Sequence, residues 1–174
     1  YELSLGQCVV AGGKIADTAA SAASDGAITL GRWNIGARSA GREALFSLAQ
    51  GGMVSYKLGE REFVLRKPLI TTSGLTDNDR GAGHAFERAQ WAVAGKYARC
   101  VDTKVEPLGE TAVSVTYTYE LAIAQRTKVT IRYVADVLGH VDLHVAYPGE
   151  KDGDLPTIPA FGIESVSYTH LTLP

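Results

Sequence analysis

From residue 111 onward the chain alternates apolar and polar residues with little interruption. In TAVSVTYTYEL, Val113, Val115, Tyr117 and Tyr119 alternate with Ser114, Thr116, Thr118 and Glu120. KVTIRYVADV repeats the pattern with Val129, Ile131 and Tyr133, and HVDLHVAYPG repeats it with Val141, Leu143, Val145 and Tyr147. A period of two sends one set of side chains into a core and the other into water. LGH at 138–140 and PGEKDGD at 148–154 read as turns. Consecutive strands at this short spacing predict antiparallel sheets packed as a sandwich.

Upstream, ALFSLAQGGMVSYKLGEREFVLRKP reads as strand, turn, strand, turn, strand. Gly51 and Gly52 supply the first reversal and Gly59 the second. Pro68 is expected to end the run, because it has no N–H to give to a ladder. HAFERAQWAVAG breaks the alternation and predicts one short helix. Phe86, Gln90, Val93 and Ala94 form its apolar face and Gly95 its stop. Trp91 in such a helix is expected in the core. Before residue 41 the composition is small, polar and glycine-bearing, which predicts loop or linker around short strands.

A chain of 174 residues is long enough for one domain with a core. A net charge of −2 gives no electrostatic case for nucleic acid or an anionic membrane as partner. No apolar run of about 18 residues is present, so no membrane helix is expected. Cys8 and Cys100 lack the spacing of a zinc site or redox pair and are expected as free thiols in a reducing compartment. The start, YELSLGQ, has neither Met nor signal pattern, which suggests a piece of a longer or processed chain.

The densest polar stretch is LTDNDRGAGHAFERAQW, where Asp77, Asn78, Asp79, Arg80 and Gly81 follow one another. A glycosidase-type pair would need two carboxylates roughly 5–10 Å apart with different pKa values, and nothing in the pattern separates the two acids. A calcium loop would need wider spacing and a distal bidentate Glu. Asx-turn chemistry feeding a helix N-terminus accounts for the residue types most simply. A loop that presents side chains to a polar ligand stays open beside it. His140 and His144 would lie about 13 Å apart along a strand, too far for one metal. No catalytic motif accompanies them, and His84 and His170 add none.

One resemblance goes further. EALFSLAQGGMVSYKLGEREFVLRKPLITTSGLTDNDRG, then Trp91, then LPTIPAFGIE, resembles the C-terminal small-chain region of large bacterial β-galactosidases of the LacZ type. These belong to glycoside hydrolase family 2, and the region corresponds to their fifth domain. The resemblance covers roughly 33–164. It departs where Ser73, Gly74 and Leu75 stand in place of the family's Arg-Ala-Pro.

The resemblance implies an all-β antiparallel supersandwich, galactose mutarotase-like, truncated here, with one short helix. It divides the chain into 1–40, the end of a preceding domain or linker; 41–164, a partial small-chain sandwich; and 165–174, a non-native tail. The parent would hydrolyse terminal non-reducing β-D-galactose residues in β-galactosides such as lactose. Its catalytic glutamates would lie in an upstream barrel domain, with no catalytic residue and no metal or cofactor in this chain. Mg2+ and Na+ would belong to other domains. Asp77, Asn78, Asp79, Arg80 and Gly81 would form a substrate-site loop hinged at Gly81. The parent would be a bacterial cytoplasmic homo-oligomer. Two alternatives stay open. One is a free-standing carbohydrate-binding sandwich using Trp33, Trp91 or tyrosines. The other is a mutarotase-like aldose epimerase using His144 and Asp142.

Overall fold

A computed structural model describes residues 26–72, 75–148, 155–158 and 160–166. Five strands, β1 (Ala27–Leu30), β2 (Asn34–Ser39), β3 (Arg42–Ser47), β4 (Gly52–Leu58) and β5 (Arg61–Glu62), form one antiparallel meander in sequence order. A two-stranded ribbon pairs β6 (Arg66–Thr72) with β11 (Phe161–Val166). A third sheet holds β7 (Arg99–Leu108), β8 (Ala112–Glu120), β9 (Lys128–Asp136) and β10 (Val141–Ala146), in the order β10-β9-β8-β7. Ile35, Ala37, Ala44 and Phe46 from the first sheet pack with Val113, Val115, Tyr117, Val129, Ile131 and Tyr133 from the third. The rings of Phe46 and Tyr133 are 5.3 Å apart across the interface. The expected all-β sandwich is therefore present, with the predicted alternation as its organising pattern.

β8 and β9 bury their odd-numbered residues. β10 follows the same parity through the pairs Val141↔Ala135 and Val145↔Ile131, but as an edge strand it leaves Leu143 partly in water. The pattern is silent at 99–108. β7 is the opposite edge, mostly exposed and bulged between Cys100 and Asp102, so its alternation is weak.

One expectation is overturned and two are made specific. Pro68 does not end the strand; it lies inside β6. The partner register jumps there, with Leu69 opposite Glu164 and Arg66 opposite Val166, and a bulge is where a ladder tolerates a missing N–H. Residues 26–40, read as loop or linker around short strands, carry β1 and β2; β1 pairs with β2 and β2 with β3, and Ile35 and Ala37 lie in the core. Ser39 and Arg42 pair across the turn that holds residues 40 and 41. The one predicted helix is a helical excursion in three pieces, α1 (Asp77–Gly81), α2 (Ala85–Arg88) and α3 (Trp91–Ala94). Cys8, His170 and the segment 167–174 lie outside the described residues.

The β4–β5 turn is closed by Glu62. Its carboxylate accepts from the Ser55 hydroxyl and from the backbone N–H groups of Tyr56 and Val64. Burial alone would raise its pKa, but hydrogen bonds from Ser55, Val64, Tyr56 and Phe63 outweigh it and hold the carboxyl below its ordinary range. A lowered folded-state pKa contributes stability above the ordinary carboxylate pKa and loses it as pH falls through the folded value. The wild-type chain should therefore lose more stability between about pH 6 and about pH 3 than Glu62→Gln does. Urea midpoints at both pH values check this, and parallel losses in the two proteins would contradict it.

Candidate functional site

The polar stretch leaves the sandwich after β6 and returns before β7, so both ends of the excursion rest on one strand. At the exit, the Thr72 hydroxyl donates to the Trp91 carbonyl, and Gly95 N–H donates to Thr72 Oγ1 at 3.4 Å. Gly95 passes so close to β6 that a Cβ there would sit 2.1 Å from the Ile70 carbonyl oxygen. Ala122 N–H donates to the Ala94 carbonyl at 3.2 Å, tying α3 to the end of β8. The Trp91 indole is 0% exposed, and its Nε1–H donates to the Pro156 carbonyl at 3.1 Å. A residue from the lead-in to β11 thereby closes the base. The anchors are Thr72, Trp91, Gly95 and Pro156; of these only Trp91 was legible as core in the sequence.

Beyond this base the excursion projects into solvent. Asp77, Asn78, Arg80 and Gly81 are all exposed. Asp77 Oδ1 lies 3.8 Å from Arg80 Nη1, one helical turn on, and the Asp77 side chain is fully exposed. The turn is held by Arg80 N–H to the Thr76 carbonyl at 3.3 Å and Ala82 N–H to the Asn78 carbonyl at 2.9 Å. Asp79 occupies the helical backbone of α1. His84 Nδ1 sits 3.7 Å from Glu87 Oε2, again at i,i+3. A glycosidase-type general acid sits in a dry pocket, whereas the Asp77 side chain is fully exposed. Among the described residues no group of three His, Cys, Asp or Glu side chains could hold a metal ion.

The alternative sites are placed as follows. Trp91 is unavailable as a sugar platform because it is buried. Trp33 is 61% exposed, with the Arg32 guanidinium 5.1 Å from its ring. Asp142 and His144 share the outer face of β10, with His144 opposite Arg132, and both are exposed on an open sheet surface. A cavity of about 330 Å³ lies on the outer face of β1–β3, lined by Thr29, Asn34, Gly36, Arg38, Glu43 and Leu45, away from the polar excursion. No helix among the described residues is long and apolar enough to cross a membrane.

The fold is that of an antiparallel β-domain with a polar segment anchored at its rim. Residues 38–171 match the family described as Beta galactosidase small chain, and the chain belongs to that family. The match includes the end of β2, all of β3 to β11, and residues 167–171 beyond them. The β-galactosidase BgaC of Bifidobacterium adolescentis is 70% identical over 98% of this chain, which corresponds to 17% of that protein. The β-galactosidase of Streptococcus thermophilus is 38% identical over 77% of the chain and 13% of its own length. A β-galactosidase small subunit of Latilactobacillus sakei is 30% identical over 84% of the chain and 52% of its own length. The chain thus spans under a fifth of the two β-galactosidases and about half of the small subunit.

Proposed function

We propose that this chain is the part of a β-galactosidase that walls the sugar site, and that the enzyme hydrolyses terminal β-D-galactose from β-galactosides such as lactose. In this reading the domain is the fifth of a glycoside hydrolase family 2 enzyme, with a mutarotase-like sandwich. The catalytic glutamates lie in an upstream barrel, and Asp77, Asn78, Asp79, Arg80 and Gly81 form the loop at the mouth of the site. The observation that carries it is the family match together with a polar loop fixed at its base and exposed at its tip. A loop of that kind can meet a ligand held by another domain without supplying chemistry itself. Any Mg2+ or Na+ requirement, a cytoplasmic location and a homo-oligomeric state are assigned to the parent enzyme. Chelation followed by activity assay, cell fractionation and solution mass measurement address these in turn.

Replacing residues 77–81 of the full-length enzyme by a Gly/Ser segment of equal length should raise KM for a chromogenic β-galactoside about tenfold. Thermal stability should stay nearly constant, because the replaced side chains described here are exposed. Unchanged KM and kcat would contradict the assignment of the loop.

A further inference from the structure

The excursion is apolar on two faces, and only one of them meets its own sandwich. Ala89, Gln90 and Gly95 all have right-handed helical dihedrals. Ala89 N–H donates to Ala85 O and Tyr97 N–H to Val93 O, so the helical path from α2 through α3 runs nearly continuously to Tyr97. At about 100° per residue, Phe86, Val93 and Tyr97 fall on one stripe, while Trp91 and Gly95 fall on the other side and Ala94 on the flank between them. Trp91 and Ala94 are completely buried and Gly95 is buried with them. The first set is turned to solvent: Phe86 is 94% exposed, Tyr97 64% and Val93 44%. Glu87 and Lys96, both exposed, border the stripe. A helix apolar on opposite faces is normally covered on both, and an aromatic anchor with charged neighbours has the composition of an interface core and rim.

We infer that Phe86, Val93 and Tyr97 form the surface by which this domain docks onto the catalytic portion of its β-galactosidase. The occupant follows from proportion: relatives up to 70% identical devote more than four-fifths of their length to sequence outside this segment. The same region also matches a protein named as a separate small subunit, whose name pairs it with a larger partner. The stripe lies five residues beyond the polar loop that ends at Gly81, on the same excursion. Docking would therefore fix where that loop stands, with Trp91 clamping the inner face and Phe86 the outer. The inference rests on the β-galactosidase reading above and names its contact surface.

The test uses the full-length enzyme with a photoreactive benzoylphenylalanine at position 86. Irradiation followed by peptide mapping should give a cross-link within the catalytic portion of the same enzyme. Phe86→Asp should lower kcat/KM about tenfold, and Phe86→Leu should retain most activity. The Asp variant should keep the melting temperature of the sandwich, since the ring makes almost none of the core. A cross-link only to a second copy of this segment, or none in an enzyme that hydrolyses galactosides, overturns the docking surface and leaves the functional reading intact. A cross-link to the rest of the chain in an enzyme with no galactosidase activity does the reverse. Full activity in Phe86→Asp overturns the proposal directly.

Discussion

Trp91→Ala should destabilise the domain by about 4 kcal/mol and release the excursion from the sandwich. The indole is fully buried, and it is the side chain through which the helical segment reaches both the core and the strand lead-in at Pro156. Truncation leaves a large cavity and removes the donor from the Pro156 carbonyl. Domains of this size are stable by about 5–15 kcal/mol, so the loss is a large share of the total. Trp91→Phe should recover most of the packing but not the hydrogen bond, and fall short by about 1–2 kcal/mol. Denaturant midpoints of the three proteins check the order. In the full enzyme, Trp91→Ala should also raise KM, because the polar loop shares the excursion whose inner clamp is lost. A loss below about 1 kcal/mol would show that the excursion is held by something other than Trp91.

The second large effect is expected at Gly51→Ala, in the turn between β3 and β4. Gly51 has φ +63°, where an L side chain costs about 1–2 kcal/mol. Its missing Cβ would lie 2.6 Å from Cys100 Cβ and 2.7 Å from Cys100 Sγ, so β7 or the turn must move. Overpacking adds about 1–3 kcal/mol, giving about 3 kcal/mol in all. The turn has little freedom to yield. Tyr119 donates its hydroxyl to the Gly51 carbonyl at 2.6 Å, Tyr117 to Gly52 at 3.5 Å, and Lys67 donates to the Gln50 carbonyl. Burial pushes the hydroxyls of Tyr117, Tyr119 and Tyr133 above their ordinary pKa, Tyr133 to about 12, and Tyr117 and Tyr119 are the two that donate to this turn. Gly59→Ala is the control: its φ is +60°, but nothing lies within 4 Å of the new methyl. It should cost only the backbone share, about 1–2 kcal/mol. Equal losses at the two positions would mean that the contact with Cys100 does not matter.

The legible parts of this fold are those where one face is dry and the other wet. Val113 to Tyr119 and Val129 to Tyr133 announce themselves because their neighbours cross the sandwich. β7 does not, because as an edge strand it contacts water on most sides. β1 and β2 hid behind Gly31, Gly36 and a polar flank, although Ile35 and Ala37 carry the period. Pro68 misled because its compatibility with β6 depends on a bulge set by a partner about a hundred residues away, which no local pattern records. The helix was readable as a stripe but not as an orientation. Phe86, Gln90, Val93 and Ala94 have helical spacing, yet the core takes Trp91 and Ala94 and leaves Phe86 and Val93 outside. Periodicity gives a face; only tertiary packing says which way it points. The residues 77–81 were visible as a polar segment, but not as the short helix α1 that they form. Thr72 and Pro156, which hold its base, have no signal in sequence, because they act through contacts to residues 19 to 65 positions away along the chain.

The most direct test is hydrolysis of a chromogenic β-galactoside by this chain, alone and mixed with the catalytic portion of a full-length relative. The account predicts no hydrolysis by the chain alone and a gain when it joins the catalytic portion. Hydrolysis by the chain alone would contradict it, because a carboxylate pair would then have to exist within this sandwich.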